Sequence, residues 1–191
     1  MTIKNQRVGI FVDVQNLYHA SKNLYKSRVN YAVLLRALTR DRQLIRSLAY
    51  VVKSDILGDH RSDKTRPMPN VSAHSNVEVK SGSSEAAFFD ALKEAGLELR
   101  VKDIQIYASG EKKADWDIGM AVDSIRMASN LDVIILVTGD GDFIPLVQYL
   151  QSGLGKFVEV AAFKATTSGK LQEIADVFID LRSIPKILIK K

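Results

Sequence analysis

The sequence predicts an α/β fold: a mostly parallel sheet of five or six strands, flanked by helices, with strand order 3-2-1-4-5. Three observations carry this expectation. Val8-Gly9-Ile10-Phe11-Val12 and Val133-Ile134-Ile135-Leu136-Val137 are short runs without polar alternation, the pattern of strands buried on both faces. Stretches with apolar residues at helical spacing lie between such runs, and the alternation implies right-handed crossovers. Carboxylates and glycines recur where a strand gives way to a helix, the end of an open parallel sheet at which ligands bind.

In chain order, the first run ends at Asp13 and a helix follows with Leu17, Ala20, Ser21 and Leu24 on one face. Asp13 fits a helix N-cap or a ligand at a strand's carboxyl end. Asn16, one turn later, lies close enough to support the same site. Asn30 reads as the cap of a second helix through Val33, Leu34, Ala37 and Leu38. Arg36, Arg40, Arg42 and Arg46 crowd its end, where the helix dipole favours cations. Leu44 to Val52 reads as the second strand. Residues 58–83 form a long irregular stretch, of a kind that is either functional or disordered. Its Arg61 and Arg66 are candidate phosphate contacts, against the alternative of a plain surface loop. Ser84 is expected to cap a helix carrying Ala87, Phe88, Ala91 and Leu92, which Gly96 ends. Leu97, Leu99 and Val101 alternate with charged residues as a third strand. The change of phase at Asp103 predicts a bulge or bend.

Lys112-Lys113-Ala114-Asp115-Trp116-Asp117 leads into a helix with Ile118, Ala121, Val122 and Ile125 on one face, and Asp115 or Asp117 is expected to cap it. Asp123 lies mid-helix, where aspartate needs either solvent or a purpose. Trp116 reads as a packing residue in preference to a base-stacking platform. The strand Val133 to Val137 then delivers Thr138-Gly139-Asp140-Gly141-Asp142-Phe143, whose glycines permit a sharp bend and close approach to a ligand. Asp142 fits an N-cap, with Pro145 tolerated in the first turn, and Asp140 fits an ordinary turn aspartate. Both equally fit an acidic metal site. Phe157 to Phe163 is a fifth strand, Ser168 is expected to cap a last helix, and Phe178 to Leu181 adds an edge strand.

At 191 residues the chain suits a single domain, with the core expected over about 7–181. Formal charge is +5. If Asp13, Asp117, Asp123, Asp140 and Asp142 gather in one pocket, 27 basic side chains face 17 acidic ones elsewhere, and such an exterior suits a polyphosphate substrate. Cysteine is absent, which excludes disulfides and thiolate metal sites. No apolar run approaches the roughly 20 residues needed to cross a bilayer. Met1 to Arg7 lacks the layout of a signal peptide, so the cytoplasm is the expected compartment. The phosphate loop G-x-x-x-x-G-K-[S/T] and the nucleophilic serine elbow are both missing.

If the first and fourth strands are neighbours, Asp13 meets Asp140 and Asp142 across the crevice, and the start of the Asp117 helix enters from the side. Hard divalent cations prefer such oxygen ligands. They activate water and neutralise the charge that develops in phosphodiester attack.

Phe11-Val12-Asp13-Val14-Gln15-Asn16-Leu17, Lys113 to Asp123 and Thr138 to Phe143, in this order, resemble the NYN domain family. More narrowly they are similar to its LabA-like branch, within the PIN-like nucleases, over about Arg7 to Leu181. The resemblance implies a PIN-like, Rossmann-like fold and a Mg²⁺- or Mn²⁺-dependent ribonuclease site. By motif, Asp13, Asp117, Asp140 and Asp142 would hold metal, with Asn16 and Thr138 supporting and Asp123 secondary. The six-residue step to Asp123 fits the family spacing and favours Asp117 over Asp115. The expected function is a metal-dependent endoribonuclease acting on RNA phosphodiester bonds, with Arg61, Arg66, Lys112 and Lys113 positioning phosphates. RNA is the expected partner, no membrane is involved, and a homodimer is allowed. The alternative is a non-catalytic RNA-binding or regulatory module on the same fold; a small-molecule phosphohydrolase is a third.

Overall fold

The computed structural model describes residues 5–53, 81–103, 105–106, 112–113 and 116–190, with the backbone alone at 81–84, 105–106 and 112–113. The chain begins β1 (Arg7–Asp13), α1 (Val14–Tyr25), β2 (Ser27–Val29), α2 (Tyr31–Thr39) and β3 (Gln43–Val52). It continues α3 (Ser81–Glu94), β4 (Glu98–Lys102), β5 (Gln105–Ile106), β6 (Lys112–Lys113), α4 (Asp117–Met127) and β7 (Val133–Val137). Then come α5 (Ile144–Gln148), β8 (Phe157–Ala162), α6 (Gly169–Ile174), β9 (Val177–Asp180) and β10 (Leu188–Lys190).

Six strands form one sheet in the order β4-β3-β1-β7-β8-β9, and every neighbouring pair is parallel. Numbered among themselves this is 3-2-1-4-5-6, the expected order with the edge strand added. Burial of alternate side chains on opposite faces explains why β1 between Arg7 and Asp13, and all of β7, are apolar. Val8, Ile10 and Val12 point into a core with Val133, Ile135, Val137, Ala49 and Val51 on one face. Phe11 joins Leu48, Tyr50, Ile134, Leu136 and Val160 on the other. Each valine, leucine, isoleucine or phenylalanine among them contributes about 1.5–3 kcal/mol when fully buried.

Helix ends follow local chemistry. Asn30 caps α2 by accepting from the Val33 N–H at 3.2 Å. Lys26 takes left-handed backbone at φ 50° and returns its N–H to the Lys22 carbonyl, ending α1. Gly96, at φ +97°, closes the turn after α3.

Several expectations need correction. α3 begins at Ser81, three residues before the expected Ser84 cap. At Asp103, where a bulge or bend is expected, β4 has already ended at Lys102, and β5 pairs antiparallel with β6 in a separate ribbon. Trp116, not Asp115 or Asp117, occupies the cap position of α4, without a side-chain cap bond. Ser168 precedes α6 but its side chain makes no cap bond either. Leu24 is exposed rather than packed. Arg42, read as part of a basic cluster, is buried and paired with Glu159 of β8 at 2.7 and 3.0 Å, while also donating to the Leu38 carbonyl. That pair joins the start of β3 to β8 through the core. Among the described residues no helix is long and apolar enough to cross a membrane. Arg61, Arg66 and Asp115 lie outside the described residues, as do most of residues 58–83 and the side chains of Lys112 and Lys113.

Candidate metal centre

Two neighbouring parallel strands, β1 and β7, end at the same edge of the sheet, and the turns that follow them face each other. Asp13 ends β1 and is the N-cap of α1: its Oδ1 accepts from the Asn16 N–H at 3.0 Å. Its Oδ2 accepts from the Thr138 hydroxyl at 3.1 Å. Thr138 is fully buried, and the same Oγ1 accepts from the Asp140 N–H at 3.2 Å. The Asn16 side-chain oxygen accepts from the Gly139 N–H at 3.0 Å. Two hydrogen bonds therefore stitch the first motif to the third.

Gly139 is where the turn needs glycine. A Cβ there would stand 3.0 Å from Thr167 Oγ1 and 3.2 Å from the Thr166 carbonyl, and the Gly139 carbonyl already accepts from the Ser168 N–H. Asp140, not Asp142, caps the next segment: its Oδ1 accepts from the Asp142 N–H at 3.0 Å. This reverses the division of labour expected from sequence. One Asp140 oxygen is engaged by the turn, whereas Asp142 is exposed and projects from the first helical turn.

Asp117 opens α4 from the side. One carboxylate oxygen from each of Asp117, Asp140 and Asp142 lies within 4.8 Å of the others. Among the described residues no lysine or arginine makes an ion pair with Asp140 or Asp142. Three carboxylates that close, with hard oxygen donors and no compensating side-chain cation on two of them, fit a hard divalent cation. Asp13 stands outside this group of three but within reach of the charge of Asp140. Burial, and secondarily that charge, push its carboxyl above the usual carboxylate range, opposed by the bonds from Asn16 and Thr138. Burial and the Asp13 charge likewise raise the Tyr31 hydroxyl.

Asp123 is not with the other aspartates. Its Oδ2 accepts from the Tyr50 hydroxyl at 3.1 Å and from Arg100 Nε at 3.2 Å. Its purpose in mid-helix is thus a polar network rather than the carboxylate group. Tyr50, however, lines the same cleft as Asp13, Asp117 and Asp140, a concavity of about 460 Å³. Sequence reading missed Tyr50, although it sits at the carboxyl end of β3, where the topology rule places ligand contacts. It also missed His19 and Asn23, which line the cleft along α1 with Gln15 and Asn16. A larger concavity of about 540 Å³, against Tyr31, Phe88 and Ala91, has none of these aspartates in its wall.

Comparison with known proteins agrees with this fold. The Low amplitude and bright protein LabA of Synechococcus elongatus is 25% identical over 126 residues, covering 63% of this chain and 67% of that protein. A crystal structure of a protein of unknown function from Vibrio parahaemolyticus superposes with a TM-score of 0.76 at 26% identity, covering 99% of each chain. The six-strand parallel sheet fits the PIN-like expectation, and the LabA likeness supports the LabA-like branch. The sequence profile of the NYN domain matches residues 7–182, all of the main sheet included, and the chain therefore belongs to the NYN domain family.

Proposed function

We propose that this protein is a Mg²⁺- or Mn²⁺-dependent endoribonuclease that hydrolyses RNA phosphodiester bonds in the cleft at the carboxyl ends of β1 and β7. The observation that carries the reading is the convergence of Asp117, Asp140 and Asp142 oxygens within 4.8 Å. These three would hold the metal, with Asp13 as a fourth carboxylate beside them. When bound, the ion supplies activation of water and neutralisation of charge on the phosphate. The chain's own work is positioning. Thr138 fixes Asp13 and the Asp140 backbone with one hydroxyl, and Asn16 fixes Gly139. The formal charge of +5 favours a polyanionic partner in general. The proposed compartment is the cytoplasm.

The test is Mn²⁺-dependent cleavage of an end-labelled RNA by wild type, Asp140→Asn and Asp117→Asn. Asparagine at 140 keeps the oxygen that accepts from the Asp142 N–H, so the turn survives. Cleavage should fall by more than the roughly 10–100-fold that loss of an outer-shell partner costs a metal site. Equal cutting by the variants refutes the assignment. Absence of products with either metal, together with RNA binding that persists in EDTA, would establish the non-catalytic module instead.

A further inference from the structure

Trp116 precedes Asp117 directly, and their Cα atoms are therefore about 3.8 Å apart. The indole packs against the second core cluster, as the sequence suggests, yet it is only half-buried and lines the cleft of the carboxylates. Its orientation is fixed on several sides. The indole N–H donates to the Val51 carbonyl at 2.9 Å. The Tyr50 ring lies 5.6 Å away, centre to centre, at 59°. Tyr50 is itself pinned through its hydroxyl to Asp123, which Arg100 holds. On α4, Gly119 leaves room for the ring, because a Cβ there would stand 2.5 Å from Trp116 Cε3. Lys102 Nζ sits 5.8 Å from the ring centre. A large aromatic held still beside a polyanion site loses little freedom on binding, and every nucleobase offers a face to stack. Exposed His19 and Asn23 line the same cleft at positions i and i+4 of α1, with donors and acceptors suited to a base edge.

Resting on the ribonuclease reading above, we propose that Trp116, backed by Tyr50, seats one unpaired nucleobase of the RNA next to the carboxylates, with His19 and Asn23 meeting its hydrogen-bonding edge. Bases inside a duplex cannot reach such a platform, so the cleft selects single-stranded segments. Asp123 is a positioning residue in this account: it orients Trp116 through Tyr50 and never touches RNA.

Trp116 is the single tryptophan of the chain, so its emission reports on this wall alone. In EDTA, a single-stranded decaadenylate should quench that emission, whereas an abasic decamer with the same phosphates and the same decaadenylate in a duplex should quench far less. Trp116→Ala, read by anisotropy of labelled decaadenylate, should bind roughly 5- to 150-fold more weakly while binding the abasic strand unchanged. The double variant His19→Ala/Asn23→Ala changes only exposed positions and should give the same base-selective loss with the fold untouched. Equal quenching by the abasic strand overturns the proposal, as does wild-type affinity for decaadenylate in the double variant. RNA cleavage without base-dependent quenching sinks this inference alone. Base-dependent quenching without cleavage sinks the ribonuclease reading and leaves the nucleobase seat standing.

Discussion

Replacing Thr138 by valine removes one oxygen and conserves shape, so its effect isolates the hydroxyl that links the two strand ends. Two bonds are lost together. The hydroxyl donates to Asp13 Oδ2 at 3.1 Å, a bond to a carboxylate worth about 1.5–3 kcal/mol. It also accepts from the Asp140 N–H at 3.2 Å, a neutral bond worth about 1 kcal/mol. Because Thr138 is fully buried, water cannot take the place of either partner without opening the turn. Thr138→Val should therefore cost about 2.5–4 kcal/mol, a large share of the 5–15 kcal/mol typical of a domain. With a urea slope of about 2 kcal/mol per molar, the unfolding midpoint should drop by roughly 1–2 M. Thr138→Ser keeps the hydroxyl and loses one methyl, so it should drop by no more than about half that. Urea titrations of the three proteins in EDTA, followed by circular dichroism, decide the matter. A valine midpoint within about 0.3 M of wild type would refute the idea that this hydroxyl holds the site together.

Asp13→Asn should raise stability at neutral pH in EDTA. The folded carboxyl sits above its ordinary value of 3.8, so the native state binds the proton more tightly and stability falls as pH rises from about that value through the raised one. Wild type should lose stability across that window and asparagine should flatten the slope; identical pH profiles would count against the buried charge. Glu159→Gln leaves the buried Arg42 guanidinium without its counter-charge and should cost about 3–5 kcal/mol in thermal or urea unfolding, whereas Arg42→Met with Glu159→Leu should recover most of that loss. Gly119→Ala gains about 1 kcal/mol of helix propensity but drives a methyl into the indole, at about 1–3 kcal/mol, so it should shift the Trp116 emission maximum; an unmoved spectrum would contradict the packing described.

Most of the sheet was legible because its central strands are buried on both faces, which leaves an unbroken apolar run in the sequence. β1 and β7 were found by that signal, and their order followed from topology rules. Short pairings were not legible. β2 spans Ser27–Val29 and pairs with β10 some 160 residues later, and three residues carry no periodicity to detect. The acidic turn was legible as a place but not as a geometry: sequence composition does not reveal which of Asp140 and Asp142 spends an oxygen on the backbone. Asp123 was harder still. Its partners Tyr50 and Arg100 come from two different strands, β3 and β4, so its surroundings exist only after the sheet has formed. The opposite lesson comes from Arg42, where a run of arginines read as a helix-end cluster conceals one whose partner lies 117 residues away in the core.

The stitching of Asp13 to Thr138 spans 125 residues of chain, with β3 and β4 threaded between them. A ribosome adding about 5–20 residues per second takes roughly 6–25 s to cover that interval. Through all of it Asp13 has its Asn16 N–H donor but neither the Thr138 hydroxyl nor the carboxylates of Asp140 and Asp142. The acidic centre is thus assembled only after β7 has been made, and a truncated product ending before β7 would lack Asp140 and Asp142 altogether.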